Sequence, residues 1–131
     1  MKKSYDGLQE KIRNLRTPKI EIWKNKYPDK DYTVSLRAEE FTCICPKTGL
    51  PDYAIIGIDY IPGLYCVELK SFKLYLLAYR NIGIFHEHAV NKILDDFVAS
   101  CRPRYASITG EFNSRGGIRT TVKREYEKRI S

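Results

Sequence analysis

Two runs of alternating apolar and polar residues, separated by a loop rich in proline and glycine, constrain the fold most strongly. The first run extends from Tyr32 to Cys45 and the second from Tyr53 to Ile61. Alternation with a period of two residues predicts strands with one buried face and one solvated face. The segment PKTGLP (46–51) continues neither strand, because its prolines lack an amide donor and restrict the backbone. The sequence therefore predicts two strands and an irregular loop, with Cys45 and Asp52 at the two ends of that loop.

Helical periodicity follows the two strands. Apolar residues recur at intervals of three and four from Leu69 to Tyr79, which predicts a helix that ends near residues 81–83. A second helix is expected from about His86 to Pro103, because its apolar residues fall on one stripe with a period of about 3.6. Alternation then returns, and the Gly-Gly turn after Arg115 predicts a closing hairpin. The order strand, strand, helix, helix, strand, strand predicts an α+β fold whose antiparallel sheet has one covered face.

The length of 131 residues suits one domain, so residues 1–131 are interpreted as a single unit. Residues 1–18 carry three apolar side chains at helical spacing, which predicts a short N-terminal helix or arm that ends before Pro18. The sequence shows neither the apolar core of a signal peptide nor the roughly 20 apolar residues of a membrane span. We therefore expect a cytoplasmic protein with free cysteines and no membrane contact.

The formal net charge of +7 favours anionic partners, such as nucleic acid or nucleotide phosphates. Many of the basic residues lie near the two ends of the chain, where they can simply be solvated. Charge alone therefore identifies no partner.

Two cysteines and two histidines raise the question of a metal. Cys43 and Cys45, together with His86 and His88, offer the sulfur and nitrogen ligands that zinc accepts. Structural zinc sites usually separate their cysteines by about two to four residues, whereas one residue separates these two. We therefore expect no metal.

The loop offers a candidate nucleophile and a candidate acid. Cys45 precedes Pro46, and the positive charge of Lys47 would lower the pKa of its thiol, although a free cysteine is more often a small buried apolar residue. Asp52 could fold back beside Cys45 and exchange protons there, or it could serve only the turn. The residue pattern alone leaves both alternatives open.

Other charged residues suit the binding of a base and a phosphate. An imidazole and a carboxylate, as in His86 and Glu87, can receive the donor groups of a purine-like base, although Glu87 could equally serve as an acid at a helix start. Lys70, Lys73 and Arg115 could hold phosphate or could be solvated charges. The sequence contains no glycine fingerprint of the Rossmann type.

Four motifs together resemble one enzyme family. ELKSFKLY, Glu68–Tyr75, fits all eight positions of the signature of the NADPH-dependent 7-cyano-7-deazaguanine reductases of queuosine biosynthesis. CPKTGLPD (Cys45–Asp52), FHE (Phe85–Glu87) and RGGI (Arg115–Ile118) match the short single-domain type of these enzymes. The resemblance covers residues 39–122.

The resemblance implies a tunnelling fold, in which the antiparallel sheet carries two helices on one side. Subunits of such proteins join into a homo-oligomeric ring, for example a decamer of two pentamers, with sites between subunits. The implied reaction reduces a nitrile, in 7-cyano-7-deazaguanine, to a primary amine with two NADPH. Cys45 would form a covalent thioimide and Asp52 would supply protons.

The resemblance also implies which residues bind the ligands. The substrate-binding residues would be Val67, Glu68, Leu69, His86 and Glu87. The cofactor-binding residues would be Lys70, Ser71, Lys73 and Arg115. Some family members have serine where this chain has Leu69. Because leucine has no hydroxyl group, residue 69 would contact the substrate through its backbone alone.

Three other functions share some of these features. A hydrolase similar to GTP cyclohydrolase would need Cys and His residues spaced to bind a catalytic zinc ion, and this chain does not have them at that spacing. An archaeal amidinotransferase keeps the cysteine and the aspartate but lacks the NADPH motif present here. A basic RNA-binding module would suit the charge and the ten tyrosines, but these are scattered through predicted core positions, so direct nucleic-acid binding is not expected.

Overall fold

A four-stranded antiparallel sheet forms the body of the computed structural model, which describes residues 17–128. The elements in chain order are β1 (Ile22–Lys24), β2 (Val34–Ile44), β3 (Pro51–Ile61), β4 (Tyr65–Val67), α1 (Leu69–Leu77), a 3₁₀ turn (Ala78–Asn81), α2 (His86–Cys101), β5 (Tyr105–Arg115) and β6 (Ile118–Glu127). The main sheet has the order β2-β3-β5-β6, while β1 and β4 pair separately. The predicted α+β class and the order ββααββ of the main elements are confirmed. The helix or arm predicted for residues 1–18 lies almost entirely outside the described residues.

Strands β2 and β3 form the hairpin that the alternation predicts. Their ladder runs from the pair Val34 and Tyr60 to the pair Ile44 and Pro51, and its register shifts between Ala38 and Phe41. On β3 the alternate side chains from Ala54 to Tyr60 are buried, whereas their neighbours face away from the core. The ladder ends where the prolines begin, so the loop between the strands projects from one end of the sheet.

Both helices cover one face of the sheet. The first helix lies against β2 and the second against β5 and β6, and the aromatic rings of Phe72, Tyr60 and Phe97 meet edge to face. Gly110 allows α2 to approach β5 closely, because a Cβ there would lie 2.5 Å from Val90 Cγ2. No helix within residues 17–128 is long and apolar enough to span a membrane.

The first helix ends one turn earlier than its periodicity predicts. After Leu77 the chain tightens into the 3₁₀ turn, and Ile82 is extended. The Ile44 amide donates to the Ile82 carbonyl at 2.9 Å, and the Ile84 amide donates to the Ile44 carbonyl at 2.9 Å. The chain therefore leaves the helix to run beside the end of β2, and this brings the start of α2 to the β2–β3 loop.

The second helix has the bounds that the sequence predicts. It begins at His86 and ends at Cys101, and Arg102 then adopts a left-handed conformation before Pro103. Its first residue, His86, consequently sits at the end of the sheet from which the β2–β3 loop projects.

Candidate active site

Asp52 is the buried acid of this end of the sheet. Its side chain is only 7% exposed, and both carboxylate oxygens have partners. Oδ2 lies 3.1 Å from His86 Nε2, and Oδ1 lies 2.8 Å from Arg115 Nε. Three segments that are far apart in sequence, the start of β3, the start of α2 and the end of β5, therefore meet at one carboxylate.

Cys45 lies across the hairpin from Asp52. Asp52 pairs with Cys43 near the end of the ladder, and Cys45 follows two residues later, close enough for the Asp52 carboxylate to act on its thiol. The Cys45 amide donates to the Leu50 carbonyl at 2.9 Å, and the Gly49 amide donates to the Cys45 carbonyl at 2.8 Å. Gly49 takes a φ of 73°, which favours glycine. These bonds hold the backbone of Cys45 in a closed loop.

The environment of Cys45 favours the thiolate. Partial burial raises the pKa of the Cys45 thiol, but hydrogen bonds from the Thr48 hydroxyl and from the amides of Thr48 and Lys47 outweigh it, and the pKa falls below its ordinary value. The nearby Asp52 carboxylate raises the pKa and so acts against these hydrogen bonds. Cys45 is also partly accessible, which a nucleophile requires.

The other three cysteines, Cys43, Cys66 and Cys101, are buried, as is usual for free cysteines. Burial raises the pKa of the Cys43 thiol to about 12, although it is only two residues from Cys45. Its sulfur contacts the Ile84 carbonyl at 3.9 Å. Within the described part of the chain, no group of three or more Cys, His, Asp or Glu residues is arranged to hold a metal ion.

His86 is fixed by a core aromatic ring. Its imidazole stacks on Phe112, with 3.8 Å between ring centroids and 9° between ring planes, and Phe112 is fully buried. Neither Phe112 nor Thr48 is recognisable as a site residue from the sequence. Both follow ordinary patterns, a strand alternation and a turn, so no local signal distinguishes them. Glu87, the neighbour of His86, is exposed in the first turn of α2.

A second group of predicted residues surrounds the start of α1. The Glu68 carboxylate caps this helix, because Oε2 accepts from the Lys70 amide and Oε1 from the Ser71 amide, each at 2.8 Å. These bonds lower the pKa of Glu68. Val67 is buried, and its amide donates to the Tyr60 hydroxyl, whereas the Leu69 side chain is exposed.

The four predicted cofactor residues do not lie together in one chain. Lys70 and Lys73 are exposed on α1, and Lys73 lines a groove of about 580 Å³ between α1 and β2. Ser71 is buried, and its hydroxyl donates to the Glu68 carbonyl and accepts from the Glu21 amide. Arg115 instead lies beside Asp52.

The two groups lie at opposite ends of β3. The group around Cys45 adjoins Pro51, the first residue of β3, whereas Glu68 follows β4, which begins four residues after Ile61. A strand of the 11 residues of β3 spans roughly 36 Å, at ~3.3 Å per residue. Within one chain, Val67 and Glu68 therefore lie far from the thiol.

Comparisons with known proteins identify the family. A sequence model of the QueF-like protein family matches residues 51–131. The NADPH-dependent 7-cyano-7-deazaguanine reductase of Elusimicrobium minutum is 52% identical over 116 residues, which cover 88% of this chain and 87% of that protein. The reductase of the same name from Nitrosococcus oceani is 53% identical over 109 residues, which cover 83% of this chain and 84% of that protein. This chain belongs to the NADPH-dependent 7-cyano-7-deazaguanine reductase family.

A solved structure supports the fold expected for this reductase family. The crystal structure of the archaeosine synthase QueF-Like in the apo form matches with a TM-score of 0.70 at 23% identity, covering 77% of this chain and 99% of that one. The tunnelling fold implied by the resemblance is thus confirmed.

The residues on α1 fit the cofactor of the reductase family in part. No carboxylate of the described residues forms a salt bridge with Lys70 or Lys73, so both ammonium groups are available to phosphates. The Ser71 hydroxyl, in contrast, already has two partners within the chain. The lysines therefore fit NADPH better than Ser71 does.

Proposed function

We propose that the protein reduces 7-cyano-7-deazaguanine to 7-aminomethyl-7-deazaguanine with NADPH, in queuosine biosynthesis, through a covalent adduct on Cys45. One observation carries the proposal: an accessible thiol with a lowered pKa lies across a hairpin from a buried acid. A nitrile is a poor hydride acceptor, and addition of the thiolate divides its reduction into easier steps.

In the first step, the Cys45 sulfur forms a bond to the nitrile carbon while one carbon–nitrogen π bond breaks. The electron pair passes to nitrogen, which takes up a proton and gives a thioimide. Two bound NADPH molecules in turn would supply two hydrides to the carbon. One further proton reaches nitrogen after the first hydride, and the thiolate leaves between the two reductions, so that the enzyme is unchanged at the end.

Asp52 would supply protons to the substrate nitrogen. Its burial keeps water from competing, and His86 lies on its Oδ2 at 3.1 Å, where the imidazole can replace a proton that Asp52 has given up. The stacking of His86 on Phe112 keeps this pair aligned. Cys45 and Asp52 are thus the proposed catalytic residues, and His86 and Glu87 would contact the deazaguanine.

The residues around α1 would complete the site from another subunit. Val67, Glu68 and Leu69 would hold the base, and the amides of α1 already orient the Glu68 carboxylate. Lys70, Lys73 and Arg115 would hold NADPH, with Ser71 shaping the start of the helix. Since the two groups lie at opposite ends of β3, a homo-oligomeric ring that joins the outer strands β2 and β6 would bring them together.

The four free cysteines support a reducing location, and we therefore infer that the enzyme works in the cytoplasm.

The test combines turnover with detection of the adduct. The purified protein should oxidise NADPH only when 7-cyano-7-deazaguanine is present. Without NADPH, mass spectrometry should detect one substrate molecule bound to the parent protein, whereas Cys45→Ala should bind none and turn over no substrate. Cys66→Ala serves as the matched control and should keep both activities. An adduct that persists in Cys45→Ala would contradict the assignment of the nucleophile.

A further inference from the structure

We propose that Arg115 is a positioning residue of the adduct-forming step, where it acts through Asp52 before any cofactor binds. The inference rests on the proposed function, because the adduct on Cys45 is its readout. The resemblance to the reductase family assigns Arg115 to NADPH alone, whereas the structure gives its guanidinium partners within the same chain.

The guanidinium holds two successive residues of β3. Its Nε donates to Asp52 Oδ1 at 2.8 Å, and its Nη2 donates to the carbonyl oxygen of Pro51. A planar fork that bonds a carboxylate and the adjacent carbonyl fixes orientation as well as charge. A lysine, with its single ammonium group, would keep the charge but not this geometry.

The last residues of β5 carry Arg115 to the start of β3. The ladder between these strands ends where Phe112 on β5 pairs with Ala54 on β3. Beyond that pair the register between β5 and β6 shifts, and the side chain of Arg115 reaches Asp52. Arg115 is also the last residue of β5, and Gly116 and Gly117, with φ of 57° and 83°, turn the chain into β6. The contact therefore belongs to the fold and needs no ligand.

The difference in burial indicates which partner depends on the other. The Arg115 side chain is 41% exposed, whereas that of Asp52 is 7% exposed. An exposed guanidinium can form hydrogen bonds with water instead, but a buried carboxylate oxygen has few alternative hydrogen-bond donors. Loss of Arg115 would thus leave Asp52 Oδ1 without its charged partner, while His86 would still hold Oδ2.

Several titratable groups surround the Asp52 carboxylate. The thiols of Cys43 and Cys45 face it from β2 and the loop, His86 faces it from α2, and Arg115 faces it from β5. The carboxylate raises the pKa of the Cys45 thiol, and the Arg115 guanidinium lowers the pKa of the neighbouring Cys43 thiol. Removal of a cation makes nearby acids hold their protons to higher pH. The pH dependence of thiol addition should therefore move upward when Arg115 is removed.

The test measures adduct formation on Cys45 without NADPH, by mass spectrometry over a range of pH. In Arg115→Ala we expect the rate at neutral pH to fall by roughly tenfold, and the pH at half-maximal rate to rise. Arg115→Lys keeps the charge without the fork and should restore the pH midpoint but only part of the rate. Arg119→Ala, which removes an exposed arginine on β6, is the matched control and should behave as the parent does.

The outcomes separate the two roles of Arg115. An arginine that serves NADPH alone would leave adduct formation and its pH midpoint unchanged in Arg115→Ala and would raise only the KM for NADPH, which would overturn the inference. If circular dichroism shows that Arg115→Ala is unfolded, Arg115→Gln decides by the same criteria. If the parent itself forms no adduct, the proposed function fails, and this inference fails with it.

Discussion

Replacement of Asp52 by asparagine tests whether this residue donates protons. The substitution keeps the size of the side chain and leaves a carbonyl oxygen for Arg115. It removes both the acidic proton of the carboxylic acid form and the negative charge of the carboxylate form. A positioned general acid contributes a factor of about 10²–10⁴ to the rate. We therefore expect kcat/KM for nitrile reduction to fall by about that factor, which corresponds to ~3–5 kcal/mol of transition-state stabilisation.

The same substitution should have the opposite effect on a reaction that needs no proton donor. The Asp52 carboxylate raises the pKa of the Cys45 thiol, so its removal lowers that pKa further and increases the thiolate fraction at neutral pH. Alkylation of Cys45 by iodoacetamide, followed by mass spectrometry of the peptide that contains it, should then be faster than in the parent.

The matched control is Asp59→Asn, which changes an exposed carboxylate on the same strand and should alter neither reaction. An Asp52→Asn variant with parental kcat/KM would show that Asp52 donates no proton. A variant in which turnover and alkylation are both lost would show that Asp52 is needed for the local structure, and this would refute the argument for opposite effects.

Two further substitutions test the loop and the core. Thr48→Ala removes a hydrogen bond that lowers the pKa of Cys45, so the pH midpoint of iodoacetamide alkylation should move upward; an unchanged midpoint would contradict this role of the hydroxyl. Gly110→Ala places a Cβ 2.5 Å from Val90 Cγ2 and should destabilise the protein by about 1–3 kcal/mol in urea unfolding at a fixed protein concentration. Val90→Ala in the same molecule should recover part of that loss, and parental stability of the single variant would show that the helix can move away.

The sequence predicts the parts of the fold that depend on local periodicity. Ile56, Ile58 and Tyr60 alternate on β3, and all three are buried. The bounds of α2 follow from its apolar stripe and from Pro103. Strand β1 was missed, because three residues are too few to show a period, and its pairing with β4 is a tertiary contact. The early end of α1 was also missed, since it results from the pairing of the following segment with Ile44.

The site depends on contacts that no local pattern contains. His86 is 34 positions from Asp52, and Arg115 is 64 positions from Pro51. Residue chemistry alone leaves a structural role open for Cys45 and favours one for Asp52, and only the resemblance to a family unites them in one site. The resemblance also groups Arg115 with the lysines of α1, whereas the structure places its guanidinium beside the Asp52 carboxylate.

The closed loop that holds Cys45 has a consequence for conformational entropy. Two backbone hydrogen bonds close the turn, one between Cys45 and Leu50 and one between Gly49 and Cys45. The freedom of these residues is thus lost when the protein folds, and arrival of the nitrile need not restrict them again. The side chain at the exposed position Leu50 could change with little effect on the placement of the sulfur, so the loop can vary there while its nucleophile stays beside the acid.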